Sequence, residues 1–217
     1  MLLRSQNGWP ASADRAVVNI QTISVPVRAG TLKIPLRAEA APALVAMLQW
    51  WDANIEPITL GSGLGTWGYN YRVIRGGTSL SNHASGTAID INAPKHPLGA
   101  RGTVPADRVA AIRAKAASLG LRWGGDYSSR PDEMHFEVNT APPASVVQYS
   151  EAKAAGQSVA EAVQYSTALT VGAGREGRAL ARRAGAALTR NWWIAAGTVA
   201  AAGLLLVVVV VRRRRRG

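Results

Sequence analysis

Residues 88–92 (Ala-Ile-Asp-Ile-Asn) and 134–138 (Met-His-Phe-Glu-Val) alternate apolar with polar side chains, the period-two pattern of strands with one buried face. Ile89, Ile91, Met134, Phe136 and Val138 face a core, while Asp90, Asn92, His135 and Glu137 share the opposite face. Neighbouring strands of this kind bring Asp90 and His135 together. Shorter alternating runs lie in residues 17–36, and Pro26 and Pro35 confine them to a sheet edge. In residues 38–54 the period changes: Leu44, Met47, Leu48 and Trp51 recur at helical spacing, with Pro42 tolerated in the first turn. A second amphipathic helix is predicted over 105–119, with Val109, Ile112, Ala116 and Leu119 on one face and Gly120 as its stop.

Between these elements the chain reads as loops. Residues 59–67 are Gly-rich, but no Lys-Ser/Thr follows and no βαβ context surrounds them, so they predict a flexible cleft rim rather than a phosphate cradle. Residues 69–75 read as extended, and 123–130 as a loop leading into the second alternating strand. The Ala-Pro-Pro at 141–143 punctuates the end of a domain. The expected fold is α+β: a small mixed or antiparallel sheet with flanking helices over residues 1–142. An Ala-rich, basic helical stalk follows over 143–191, broken near Gly172 and Gly174. Residues 192–211 form an uncharged apolar run of 20 residues, enough for a transmembrane helix, and a poly-Arg tail closes the chain at 212–217.

The polar face of the two strands carries candidate chemistry. His83, Asp90 and His135 offer two nitrogens and one oxygen, a set suited to Zn²⁺ that leaves a fourth position open, as catalytic sites require. Gly86 lets the backbone bend so that His83 folds back over the same face. His96, in a Pro/Gly-rich loop, is the remaining histidine and an alternative ligand to Asp90.

The ordered pattern Ser-x-His-x-x-Gly-x-Ala-x-Asp (81–90 with Gly86 and Ala88), then Asp-x-x-His-Phe-Glu (132–137), resembles the zinc peptidases that cut bacterial peptidoglycan stems. These are D-alanyl-D-alanine carboxypeptidases, D-Ala-D-Ala dipeptidases and L-alanyl-D-glutamate endopeptidases of phage endolysins. Residues 69–74 and 121–126 resemble the phage branch, and the likeness covers about the first two-thirds of the chain. It implies that His83, Asp90 and His135 hold Zn²⁺. It also implies that Asp132 takes a proton from the activated water and passes it to the leaving amine; the adjacent Glu133 is a rival for that role. Arg72 matches the family's arginine for a substrate carboxylate or oxyanion. Ser81, Asp126 and Glu137 read as supporting groups, and Trp50, Trp51 and Trp123 as core or rim packing.

Composition redirects one reading. The net charge of +12 suggests a nucleic-acid partner, yet residues 1–142 hold 14 basic and 10 acidic side chains while 143–217 hold 11 and 3. Basicity concentrated beside an apolar span speaks for membrane topology and anionic headgroups, and no nucleic acid is expected as a partner. The absence of cysteine excludes a thiolate zinc site, a cysteine nucleophile and disulfides. Residues 1–10 lack the apolar core of a signal peptide. The expected protein is therefore a single-pass, C-terminally anchored hydrolase of stem peptides, serving phage or prophage lysis or entry. The alternative is a catalytically silent wall-binding or virion module. Five arginines flank each end of the span; their denser packing at the C-terminal end favours a catalytic domain on the cell-wall side, with the reverse orientation left open.

Overall fold

The computed structural model describes residues 2–61 and 65–158. The expected transmembrane helix at 192–211, the poly-Arg tail, and the 143–191 stalk beyond residue 158 lie outside the described residues, as does the middle of the Gly-rich loop. Among the described residues no helix is long and apolar enough to cross a membrane.

Strands β1 (Ile20–Val27) and β2 (Gly30–Arg37) form an antiparallel hairpin. Leu32, Ile34 and Leu36 alternate inward from β2 and meet Val25 of β1, so the period-two pattern of residues 17–36 is realised as two edge strands. The predicted proline positions fit, because each strand of a two-stranded sheet has a side free of ladder bonds.

Helix α1 (Ala41–Asn54) starts with Pro42 in its first turn and buries Leu44, Met47, Leu48 and Trp51. Each such side chain contributes about 1.5–3 kcal/mol relative to exposure. Helix α2 (Val109–Ser118) follows a short 3-10 turn at Ala106–Arg108 and buries Ile112 and Ala116. Gly120, at φ +68, ends it in the left-handed conformation that glycine adopts without a Cβ penalty.

The functional sheet has three antiparallel strands in the order β3 (Ala88–Asp90), β5 (His135–Val138), β4 (Leu121–Trp123). Its apolar face places Ile89, Phe136 and Trp123 against Trp51 of α1, with Trp123 stacked on Phe136 at 6.4 Å and Trp51 edge-on to it at 5.6 Å. Trp51 and Trp123 are therefore core. β4 is an addition to the expectation: residue 123 is the end of a strand, and the loop begins after it.

Helix α3 (Ala144–Ala154) lies beyond the boundary expected at residue 142, yet it is anchored to the domain. Val146 joins the core, and the fully buried Arg37 donates from Nη2 to Ser150 Oγ at 2.7 Å and from Nη1 to the Pro10 carbonyl at 2.9 Å. An arginine buried this deeply needs its donors satisfied, so the hydrogen bond to Ser150 makes α3 part of the folded unit, which extends past residue 142.

Candidate metal centre and catalytic cleft

Register builds the centre. Asp90 pairs directly with His135 across β3 and β5, and directly opposed residues share a face. His83 comes from a 3-10 turn, Asn82–Ser85, whose start is capped by Ser81 Oγ accepting from His83 N, and whose end is Gly86 at φ +70. A side chain at Gly86 would place its Cβ 2.8 Å from the Arg37 backbone nitrogen. Glycine therefore lets the turn close against the hairpin and carry His83 over the sheet.

The three candidate ligand groups converge in a buried cluster. Asp90 Oδ1 lies 2.8 Å from His135 Nδ1 and 3.2 Å from His83 Nε2, and the two nitrogens are 3.3 Å apart. Metal–ligand distances of about 2.0–2.1 Å in a tetrahedron put ligand atoms about 3.3–3.4 Å from one another. The triangle fits, with its Asp90–His135 edge drawn in by their hydrogen bond.

Each donor is aimed by a second partner. His83 Nδ1 lies 2.6 Å from the Gly68 carbonyl; a carbonyl only accepts, so Nδ1 carries the proton and Nε2 faces the centre bare. His135 Nε2 faces Glu137 Oε2 at 3.1 Å, leaving Nδ1 for the centre. Glu137 is itself held by Asn82 Nδ2 and by Arg122 Nε at 2.9 Å. Such carboxylate–histidine pairs fix the tautomer and orientation of a metal ligand.

The electrostatics agree. Burial opposes charge on His135, but Asp90 and Glu137 overcome it and push the imidazole up to about 10. Burial likewise opposes ionisation of Asp90, and His83 and His135 outweigh it, holding the carboxyl well below its usual range. Buried carboxylates here demand positive charge, which is the profile of a cation site.

Asp132 lies in the same cleft, about 1140 Å³ in volume and lined also by Arg72, Trp67 and Tyr127. Its Oδ1 is buried and has no hydrogen-bond partner within the protein. Burial raises its carboxyl to about 6, with His135 pulling it down and Asp90 pushing it up. A group poised there is ionised at neutral pH yet returns a proton readily.

Two family models match the chain. One, described as D-alanyl-D-alanine carboxypeptidase, covers residues 75–138, and the other, described as peptidase M15, covers residues 16–102. Residues 16–138 belong to the M15 peptidase family. No curated protein and no solved structure matches it.

Within this M15 domain the rival residues separate by geometry. His96 lies away from the centre, its ring between Thr103 Oγ1 at 2.9 Å and Glu56 Oε1 at 3.1 Å and edge-on to Trp51. Glu133 is turned from the cleft and accepts from the backbone nitrogens of Gly102, Thr103 and Val104 and from Thr103 Oγ1. Burial works against its charge, but those donors hold its carboxyl below the ordinary value, so it organises a loop. Asp126 forms an exposed ion pair with Arg113 at 2.7 Å. Arg72 is exposed on the cleft wall, and its Nη1 makes a 3.3 Å bond to the Val73 carbonyl.

The supporting residues Asn82, Arg122, Gly68 and Trp67 were not singled out from the sequence. Arg122 had a usable signal, because reading 121–123 as a strand beside β5 puts it opposite Glu137. The Gly68 contribution is a backbone carbonyl and leaves no mark on residue type.

Proposed function

We propose that this M15 peptidase uses Zn²⁺ to hydrolyse a peptide bond in bacterial peptidoglycan stem peptides, of the D-Ala-D-Ala carboxypeptidase or L-Ala-D-Glu endopeptidase type. The observation that carries the reading is the meeting, in one cleft, of the buried His83–Asp90–His135 triangle with Asp132, whose buried Oδ1 has no partner in the protein. His83 Nε2, Asp90 Oδ1 and His135 Nδ1 would hold the ion. When bound there, Zn²⁺ supplies Lewis-acid polarisation and lowers the pKa of water to about 7.

The chain's own groups do the rest. Asp132 accepts the proton released as water oxygen joins the carbonyl carbon, then returns it to the amine nitrogen as the C–N bond breaks. Arg72 neutralises negative charge, either on a substrate carboxylate or on the developing oxyanion. Arg75 and Arg130 also line the cleft, and guanidinium groups there suit stem peptides, which carry several carboxylates.

Zymography on purified cell wall, with and without chelator, tests this reading. Clearing that a chelator abolishes and zinc restores is expected, and mass spectrometry of one digested muropeptide then identifies the bond. A zinc-loaded protein that binds wall and cuts nothing refutes hydrolysis in favour of a silent binding module.

The same reading extends to the setting. We place the protein in phage or prophage lysis or entry, anchored through residues 192–211 with the M15 domain on the wall side. What supports the setting is the likeness of residues 69–74 and 121–126 to the phage branch, and what supports the anchor is the uncharged apolar run followed by five consecutive arginines. Protease added to intact cells tests it: digestion of the domain is expected, and survival until the cells are lysed puts the domain in the cytoplasm.

A further inference from the structure

Trp67 bonds to Asp90 through both its backbone and its side chain. Trp67 N donates to the Asp90 carbonyl at 3.0 Å, and Asp90 N donates back to the Trp67 carbonyl at 2.9 Å. This reciprocal pair is the close rung of an antiparallel ladder, which sets the two residues directly opposite and their side chains on one face. Asp90 in turn opposes His135. Trp67, Asp90 and His135 thus form one row across the sheet, and the indole Nε1 reaches Asp90 Oδ2 at 3.0 Å.

The two carboxylate oxygens of Asp90 therefore have separate tasks. Oδ1 faces His83 and His135, while Oδ2 accepts the indole N–H. A tryptophan needed only as cleft wall would leave its N–H in solvent. Here the tryptophan is 39 % exposed, yet its N–H donates to the carboxylate of Asp90, a residue only 3 % exposed.

We propose that Trp67 is a positioning residue that keeps Asp90 a one-oxygen ligand. An N–H donated to Oδ2 lowers the electron density available from that oxygen and fixes the carboxylate's rotation, so that a single oxygen faces the metal. Coordination at the centre then stays low enough to keep a position open for water and substrate. Without the N–H, the carboxylate is free to turn both oxygens to the metal, raising the ligand number and closing that position.

This inference rests on the centre being a zinc site, and its test reads the metal directly. Zinc affinity by chelator competition and the visible absorption of the Co²⁺-substituted protein would be measured for wild type and Trp67→Phe. Co²⁺ bands weaken as ligand number rises. The expected result is a change of about tenfold to a hundredfold in zinc affinity, the range typical of groups that orient metal ligands, together with weaker Co²⁺ bands. Should Trp67→Phe fail to fold, replacing Trp67 by 3-benzothienylalanine keeps the bicyclic shape and removes only the N–H. Unchanged affinity and an unchanged Co²⁺ spectrum overturn the inference. Failure of the wild-type protein to bind either metal overturns the zinc reading itself.

Discussion

Gly124 offers the sharpest test of how the loop that carries Asp132 is held. Its carbonyl accepts from Asp132 N at 2.9 Å, so the strand end and the Asp132 loop touch backbone to backbone. A Cβ at this position would lie 2.5 Å from the Asp132 carbonyl oxygen, 3.0 Å from Asp132 Cβ and 3.1 Å from His135 Cβ. The nearest of these atoms is backbone and has no rotamer to escape into. Gly124→Ala must therefore push the 132–135 segment outward by about 0.5–1 Å to reach ordinary contact. Overpacking of this kind costs about 1–3 kcal/mol, equivalent to a fall in Tm of about 2–12 °C for a domain of this size. A displacement near 1 Å at the reacting groups costs about 10²-fold in rate. Gly124→Ala should thus remain folded and lose about tenfold to a hundredfold in kcat. Gly77→Ala is the control, because its Cβ would meet its nearest neighbour at 3.5 Å. Wild-type turnover in Gly124→Ala would refute the claim that this contact places Asp132 and His135.

Three further expectations follow from the same geometry. Asp90→Ala should lose bound zinc, measured by metal analysis after dialysis, whereas His96→Ala should keep about one zinc per chain, because His96 bonds Glu56 and Thr103 away from the centre. Asp132→Ala should retain zinc and lose about 10²–10⁴ in turnover, while Glu133→Ala should act chiefly on stability, lowering Tm by releasing the Gly102–Val104 loop; a folded Glu133→Ala without activity would transfer the proton role to Glu133. Glu56 gives a pH dependence: burial raises its carboxyl, but Asn92, Lys95 and His96 outweigh burial and hold it below the ordinary value. A depressed folded-state value stabilises above the unfolded pKa and is lost as pH falls through the folded one. Glu56→Gln should therefore cost about 1–2 kcal/mol at neutral pH, and denaturant titrations should show that gap closing in acid; a gap independent of pH would show that the charge does not matter.

The clustering of the candidate ligands was legible in the sequence because they sit in two local motifs whose register follows from alternation. Ile89 and Phe136 point to the core, so Asp90 and His135 must share the other face, and the pairing of β3 with β5 follows that logic. The helices were legible for the same reason, since Leu44, Met47, Leu48 and Trp51 mark one side of α1. β4 is harder, because three residues are too few for a period to stand out, and the Gly124–Gly125 that follows reads as loop. The anchoring of α3 is harder still. It depends on one serine meeting an arginine 113 positions earlier, and neither residue type announces a buried contact.

What aims the ligands belongs to this second kind of information. Glu137 is held by Asn82 and Arg122 from two separate segments, His83 by a carbonyl at Gly68, and Asp90 by the indole of Trp67. A strand motif can specify that a histidine faces a cleft. It cannot specify which ring nitrogen is bare, because that depends on an acceptor supplied from elsewhere in the chain. The placement of the candidate ligands is thus a local property of this sequence, while their tautomers and orientation depend on long-range contacts. Variants at Gly68, Asn82, Arg122 and Trp67 should accordingly alter metal affinity while leaving every ligand in place, and variants at His83, Asp90 and His135 should remove a ligand outright.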